Sequence, residues 1–163
     1  MIIHIKNKDL MVVDDFKFKC CVGKNGIKKK KVEGDNSTPR GTFKLKTLYF
    51  RSDRLRRPDT LLKTREIKKD MGWCNDSSYK YYNKQIKRQK KISSEKLFRQ
   101  DSKYDYLIVI DYNLKKRIPY KGSAIFIHLT NNYRPTAGCV ALKKKNFEIL
   151  LKLINQNSKI RIN

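Results

Sequence analysis

The sequence predicts one β-rich domain over residues 1–163, with a few short helices packed on it. Three observations carry this reading. Short apolar runs alternate with turn signals over the first 50 residues. Two segments, YDYLIVIDYN (104–113) and GSAIFIHL (122–129), are dense in aromatic and β-branched residues. Helical spacing takes over only near the end, where Phe147, Leu150, Leu151 and Ile154 fall on one face of a helix.

In chain order, IIHI, LMVV and FKFKCCVG read as strands, broken by Gly23, Asn25 and Gly26. EGDNSTPRGTFKL opens as a loop through Gly34, Pro39 and Gly41, and TFKLKTLYF resumes a strand. Residues 51–70 are basic and irregular, an extended excursion. Residues 71–103 are polar and Tyr-rich, and SSEKLFRQD within them predicts a short helix capped by serine. YDYLIVIDYN is the strongest strand. GSAIFIHL is almost continuously apolar, which predicts burial on both faces. KIRI closes the chain as a strand.

The chain is long enough to bury a core without staples, and its 39% hydrophobic content fits a globular protein. The charge is lopsided: 40 Lys+Arg against 15 Asp+Glu gives +25. Such a field attracts polyanions. The excess is mostly lysine spread along the whole chain, as a compositional bias would also produce. Cys20, Cys21, Cys74 and Cys139 form no regular disulfide framework, which fits a reducing compartment. With His4 and His128 the only histidines and no CxxC, no metal site is expected, nor any cofactor. The N-terminus, MIIHIKNKDLMVV, reads as a strand and has no signal-peptide core, and no run is long enough to span a membrane. The expectation is therefore a cytoplasmic chain as written, or a cell-envelope one if a signal was removed.

The stretch IFIHLTNNYRPTAGCVAL (125–142) raises the chemical question. His128 precedes Cys139 by eleven residues, and the polar loop between them lets the chain double back. A base beside a thiol makes a nucleophile. Gly138 allows a tight turn before the thiol and close approach of a carbonyl to the Gly138 and Cys139 amides. Free cysteine is also among the most buried residue types. On spacing alone, a nucleophile and a packed thiol both stay open.

Wider similarity favours the nucleophile. His128 followed by Thr136-Ala137-Gly138-Cys139 resembles the YkuD family of L,D-transpeptidases, whose signature is a histidine, a loop and Ser/Thr-x-Gly-Cys. GDNSTPRGTF is similar to that family's Thr-Pro-x-Gly-x-Phe segment. GWCNDSSYKYYN, SSEKLFRQDSKYDYLIVIDYN and GSAIFIHL resemble a compact branch of it. The similarity runs from about Gly34 to the last strand.

The resemblance implies a mainly β, sandwich-like fold with the cysteine in a cleft. It implies Cys139 as nucleophile and His128 as general base, oriented by a backbone carbonyl. Gly138 and the Cys139 amide would serve the tetrahedral intermediate, with no metal. The implied substrates are peptidoglycan stem peptides or muropeptides, cut between meso-diaminopimelate and D-alanine. The acyl group would pass to an amine (transpeptidation) or to water (carboxypeptidation, favoured in a cytoplasmic chain). No obligatory protein partner is inferred.

Two departures stand out. Ala137 and Ala141 occupy positions where the family often has histidine and arginine. Arg134 or Arg40 could then hold a substrate carboxylate. Thr136 and Trp73 are further substrate-binding candidates. Asp76, Tyr82 and Asn83 are candidates to line the cleft, and Ser123 to position His128; a packing or turn role explains each of these too. The rival class is a nucleic-acid-binding module using basic, aromatic segments such as SSYKYYNKQIKRQKK (77–91); it is not favoured.

Overall fold

A computed structural model describes residues 1–29 and 31–163. The chain opens as a meander of β1 (Ile2–Lys6), β2 (Leu10–Val13) and β3 (Phe16–Lys19). Asn7, Lys8 and Asp14 take left-handed backbone conformations at its two turns. Two short strands follow, β4 (Ile27–Lys28) and β5 (Thr38–Pro39), which pair in parallel. The long β6 (Gly41–Phe50) comes next, then β7 (Thr64–Glu66), which lies alongside it. The middle of the chain supplies β8 (Met71–Cys74), β9 (Gln85–Lys87) and β10 (Ser94–Lys96). Then come β11 (Tyr106–Ile110), β12 (Phe126–Leu129), β13 (Val140–Leu142), α1 (Lys144–Leu153) and β14 (Lys159–Ile162).

The main sheet runs in the order β13-β12-β11-β6-β14-β1-β2-β3, with β7 paired to β6. Its two ends meet just beyond β3, where Cys21 and Ala141 exchange both backbone hydrogen bonds, at 3.0 and 2.9 Å. The sheet is thus nearly closed on itself, which removes most exposed edge. β8, β9 and β10 form a second, small sheet in the order β10-β8-β9.

This arrangement makes two apolar layers. Ile3, Met11, Leu48, Ile108, Ile127 and Val140 share the larger core with Phe147, Leu150 and Leu151 of α1. Those three helix residues are the buried stripe that the spacing predicts, and Tyr106 stacks on Phe147 at 5.6 Å. On the opposite face, Leu107, Val109 and Phe126 pack with Tyr49, Trp73, Leu97 and Tyr104. Trp73 of the small sheet meets Tyr49 and Phe126 edge-on, at 6.3 and 5.2 Å. β11 and β12 are therefore buried on both faces, as their unbroken apolar sequence requires.

One expected element differs. SSEKLFRQD forms no helix; Ser94–Lys96 is β10, in antiparallel register with Cys74, Trp73 and Gly72. Pairing with β8 satisfies its backbone and buries Leu97 fully, and this outweighs a capping signal a few residues long. α1 is accordingly the only α-helix among the described residues.

Candidate active site

β12 and β13 lie side by side in parallel, with Ile127 opposite Val140 and His128 opposite Ala141. Side chains alternate along a strand. Ile127 and Val140 enter the larger core, so Phe126, His128, Cys139 and Ala141 face the other side. The register that closes the sheet thereby brings His128 and Cys139 to one face, and both line one cavity of about 460 Å3.

Each group is held by the backbone. The Cys139 thiol donates to the Ala124 carbonyl at 3.2 Å, and the Phe126 amide donates to its sulfur at 3.4 Å. His128 Nδ1 lies 2.8 Å from the Leu129 carbonyl oxygen. A carbonyl can only accept, so Nδ1 carries the proton and the neutral ring has its lone pair on Nε2. The Tyr104 ring packs edge-on against the imidazole at 5.4 Å.

Burial controls both protonation states. It pushes the Cys139 thiol up to about 12, against the opposing effect of the Phe126 amide. It pushes His128 down to about 4, helped by the charges of Lys103 and Arg99 and opposed by the Leu129 hydrogen bond. Near neutral pH the pair is thiol and imidazole, not thiolate and imidazolium.

The loop before Cys139 is tied from three sides. Thr136 exchanges backbone hydrogen bonds with Val22 and Lys24, at 2.9 Å each. Its hydroxyl donates to the Cys139 carbonyl at 2.6 Å and accepts from the Gly138 amide at 3.1 Å. The Thr38 hydroxyl donates to the Gly138 carbonyl at 2.8 Å while accepting from the Gly23 amide at 2.8 Å. Gly138 itself sits at φ +138, and a Cβ there would lie 2.7 Å from the Ser37 carbonyl oxygen. Only glycine fits this close approach of two backbones.

A family model for the YkuD L,D-transpeptidase catalytic domain matches residues 1–162. The chain belongs to the YkuD family. The match takes in the N-terminal strands as well as the segments whose similarity begins near Gly34. Among solved structures, the chain is similar to the helical cell shape determining protein Pgp2 from Campylobacter jejuni, at 17% identity and a TM-score of 0.54. A mutant form of Pgp2 gives 18% and 0.53. Both comparisons cover 99% of this chain but only 46% of the Pgp2 chain, so the YkuD domain here spans about half the length of those structures. At that identity the likeness is one of fold. A search of curated proteins found no match.

The YkuD domain gathers some of the candidate residues and scatters others. Thr136 and Arg134 line the cavity with His128 and Cys139. Arg40 does not; it is an exposed residue just after β5. Trp73 does not line it either. It is buried in the smaller core with Cys139, edge-on to Phe126, and its Nε1 donates to Asn83 Oδ1 at 2.8 Å. Asn83 also accepts from the Ala124 amide and donates to the Tyr112 and Asn113 carbonyls, so it is a structural hub. Tyr82 does not line the cavity, but its hydroxyl is bonded to Glu33, which does. Asp76 caps the Ser78 turn. Gly138 provides the turn but not a free amide, because its N–H is committed to Thr136. Among the described residues the Cys139 amide donates to no acceptor.

Sequence reasoning missed Lys31, Arg99 and Lys103 as cavity residues. Lys31 is paired with Asp35 at 2.8 Å, and Arg99 with Asp101 at 2.6 Å. Among the described residues, Lys103 and Arg134 are in no ion pair. Ser123 also lines the cavity, with a buried hydroxyl that has no hydrogen-bond partner among the described residues. Only the excess of basic residues hinted at these cations; Arg99 and Lys103 come from one segment, and Lys31 and Arg134 from others far away in sequence. No group of three or more His, Cys, Asp or Glu side chains suited to a metal ion occurs among the described residues. No helix there is long and apolar enough to cross a membrane.

Proposed function

We propose that this YkuD domain catalyses acyl transfer on peptidoglycan stem peptides, with Cys139 as nucleophile and His128 as general base. The observation that carries the reading is the β12/β13 register. It puts the thiol and a neutral, carbonyl-anchored imidazole on one face of one cavity.

The chemistry follows from the protonation states. Ionising a thiol shifted up to about 12 costs about 4 kcal/mol more than in water. A standing thiolate is therefore disfavoured, and the proton leaves as the carbon–sulfur bond forms. Sγ attacks the carbonyl between the L-centre of meso-diaminopimelate and D-alanine, and His128 Nε2 takes the thiol proton. The Cys139 amide is the backbone donor available for the developing oxyanion. As the carbon–nitrogen bond breaks, His128 returns the proton to the amine of departing D-alanine, leaving a thioester on Cys139. An amine or water then attacks the thioester, giving a cross-link or a trimmed stem peptide.

Lys103 and Arg134, in no ion pair among the described residues, are suited to the substrate's carboxylates. In this reading they take over the role of an arginine at the Ala141 position. The Ser123 hydroxyl is an additional polar group for the substrate backbone.

The test is D-alanine release from a purified tetrapeptide muropeptide, with and without an acceptor amine, for the wild type and Cys139→Ala. Release by the wild type alone supports the reading, and product masses separate hydrolysis from transfer. No release by the wild type, together with steeply salt-dependent nucleic-acid binding, would instead favour a binding module.

A further inference from the structure

The catalytic cavity holds a carboxylate that the chemistry above does not use. Glu33, in the loop between β4 and β5, lines it together with His128 and Cys139. The other acid among the described lining residues, Glu95, is engaged. It pairs with Arg99 at 3.6 Å and accepts from the Tyr104 hydroxyl at 3.0 Å. Lys31, also in the wall, is committed to Asp35 at 2.8 Å. Glu33 itself is in no ion pair among the described residues.

Glu33 is held in place from two directions. Its backbone amide donates to the Tyr120 carbonyl at 2.7 Å. Its Oε2 accepts from the hydroxyl of buried Tyr82, which in turn accepts from the Gly122 amide at 3.0 Å. These bonds occupy one carboxylate oxygen. Oε1 has no hydrogen-bond partner among the described residues. Ser123 follows Gly122 in the chain, and its buried hydroxyl, without a partner among the described residues, also lines the cavity. A hydroxyl keeps lone pairs for an N–H donor even when its own proton goes to a substrate carbonyl.

The chain from Tyr120 to Leu129 gives the cavity a direction. Glu33 is tied to its start, at Tyr120 and Gly122. The Cys139 sulfur bonds to Ala124 and Phe126 in its middle. Lys103 sits at its end, where the Lys103 carbonyl accepts from the Leu129 amide at 2.9 Å. The sulfur thus has a carboxylate and a free hydroxyl on one side, and His128 and a lysine on the other.

That polarity orients the substrate. His128 gives its proton to the departing amine, so D-alanine leaves on the His128 side, with its carboxylate toward Lys103. The acyl half then runs the other way, past the sulfur toward Ser123 and Glu33. There the residue beside the scissile bond is the diamino acid, whose side chain carries the one ammonium of the stem. A single carboxylate with a neutral hydroxyl nearby suits an ammonium. It does not suit a metal ion, since no group of three or more His, Cys, Asp or Glu side chains able to hold one occurs among the described residues.

We propose that Glu33 is a donor-specificity residue that binds the side-chain ammonium of the stem peptide's diamino acid. The inference rests on the acyl-transfer reading. It makes the domain select donor stems whose side-chain amine is free, and reject those already acylated there by an earlier cross-link.

The experiment compares the wild type with Glu33→Gln, which keeps an oxygen for the Tyr82 hydroxyl and removes only the charge. D-Alanine release is measured on a tetrapeptide muropeptide with its side-chain amine free, acetylated or dimethylated. Acetylation removes the charge, whereas dimethylation adds bulk and keeps it. The wild type should prefer the free amine over the acetylated one by about tenfold or more in kcat/KM, the worth of one charge-assisted hydrogen bond. It should accept the dimethylated amine far better than the acetylated one. Glu33→Gln should lose both preferences. Equal wild-type rates on free and acetylated substrates would overturn the proposal. So would a Glu33→Gln protein that keeps the preference, or one that loses activity equally on all three substrates, as a purely structural role requires. A second arm needs no turnover: calorimetric binding of the free and acetylated muropeptides to Cys139→Ala, with and without Glu33→Gln. A binding preference that depends on Glu33, without D-alanine release by the wild type, supports the ammonium site and refutes only the chemistry. Absence of measurable binding of the free-amine muropeptide, or binding indifferent to acetylation, overturns the site.

Discussion

Thr38→Val probes the link between the Thr-Pro-x-Gly segment and the cysteine turn, 100 residues apart in sequence. Valine keeps the shape of threonine and removes only the hydroxyl. Thr38 is fully buried, and its hydroxyl accepts from Gly23 and donates to Gly138, both at 2.8 Å. The change leaves one buried N–H and one buried C=O without partners. Each such group costs about 1–3 kcal/mol, so the expected loss is about 2–6 kcal/mol. With a urea m-value of about 2 kcal/mol/M, the unfolding midpoint should fall by about 1–3 M. The Gly138 carbonyl also loses its anchor. A cysteine displaced by about 1 Å should lower kcat by up to about a hundredfold even where the protein stays folded. Thr38→Ser keeps the hydroxyl and should recover most of both. Equilibrium urea unfolding and D-alanine release measure the two effects. A Thr38→Val protein within about 0.5 kcal/mol of the wild type and fully active would refute the reasoning. So would a Thr38→Ser protein as impaired as Thr38→Val.

Other residues give equally direct expectations. Gly138→Ala forces a Cβ to 2.7 Å from the Ser37 oxygen at a left-handed φ, and should cost at least about 1–3 kcal/mol and most of the activity; urea unfolding and D-alanine release read it. The pH profile of kcat/KM should stay level through neutrality and fall only as pH drops through about 4, where His128 gains a proton and stops acting as a base. An acid limb near 6.5 would contradict the buried, neutral imidazole. The same burial affects stability. Because the folded-state pKa lies below the ordinary 6.5, the His128 contribution is complete above 6.5 and is lost as pH falls through about 4. The loss amounts to about 3 kcal/mol, and a His128→Gln variant should not show it in acid-dependent urea unfolding. Iodoacetamide should alkylate Cys139 slowly at pH 7, with a rate that climbs steeply with pH, because the thiol is protonated. Fast labelling at pH 7, followed by mass spectrometry, would contradict that.

Local pattern made much of this fold readable. β6, β11, β12 and α1 each carry enough apolar residues at one spacing to declare their type and burial. Ser94–Lys96 did not, because its strand character comes from β8 and not from its own residues. The candidate site was legible as residue types and order, His128, Thr136, Gly138 and Cys139, but its geometry was not. The parallel β12/β13 register, the Cys21–Ala141 closure and the Thr38–Gly138 hydrogen bond are all long-range. Arg40 and Trp73 show the same limit. Both are suitable residue types, yet neither lines the cavity: one is exposed and the other is packed in the smaller core. Lys103 enters the cavity from a loop, with nothing in its sequence neighbourhood to mark it.

The central claim is that Cys139 forms a thioester by displacing D-alanine with the help of a neutral His128. Intact-protein mass spectrometry after rapid acid quench of the domain with a tetrapeptide muropeptide tests it most directly. The account predicts an added mass equal to the muropeptide minus D-alanine, mapped by peptide digestion to Cys139. The adduct should be absent from Cys139→Ala and strongly reduced in His128→Gln. Release of D-alanine by Cys139→Ala at the wild-type rate, or an adduct mapped to Cys20, Cys21 or Cys74, would contradict it.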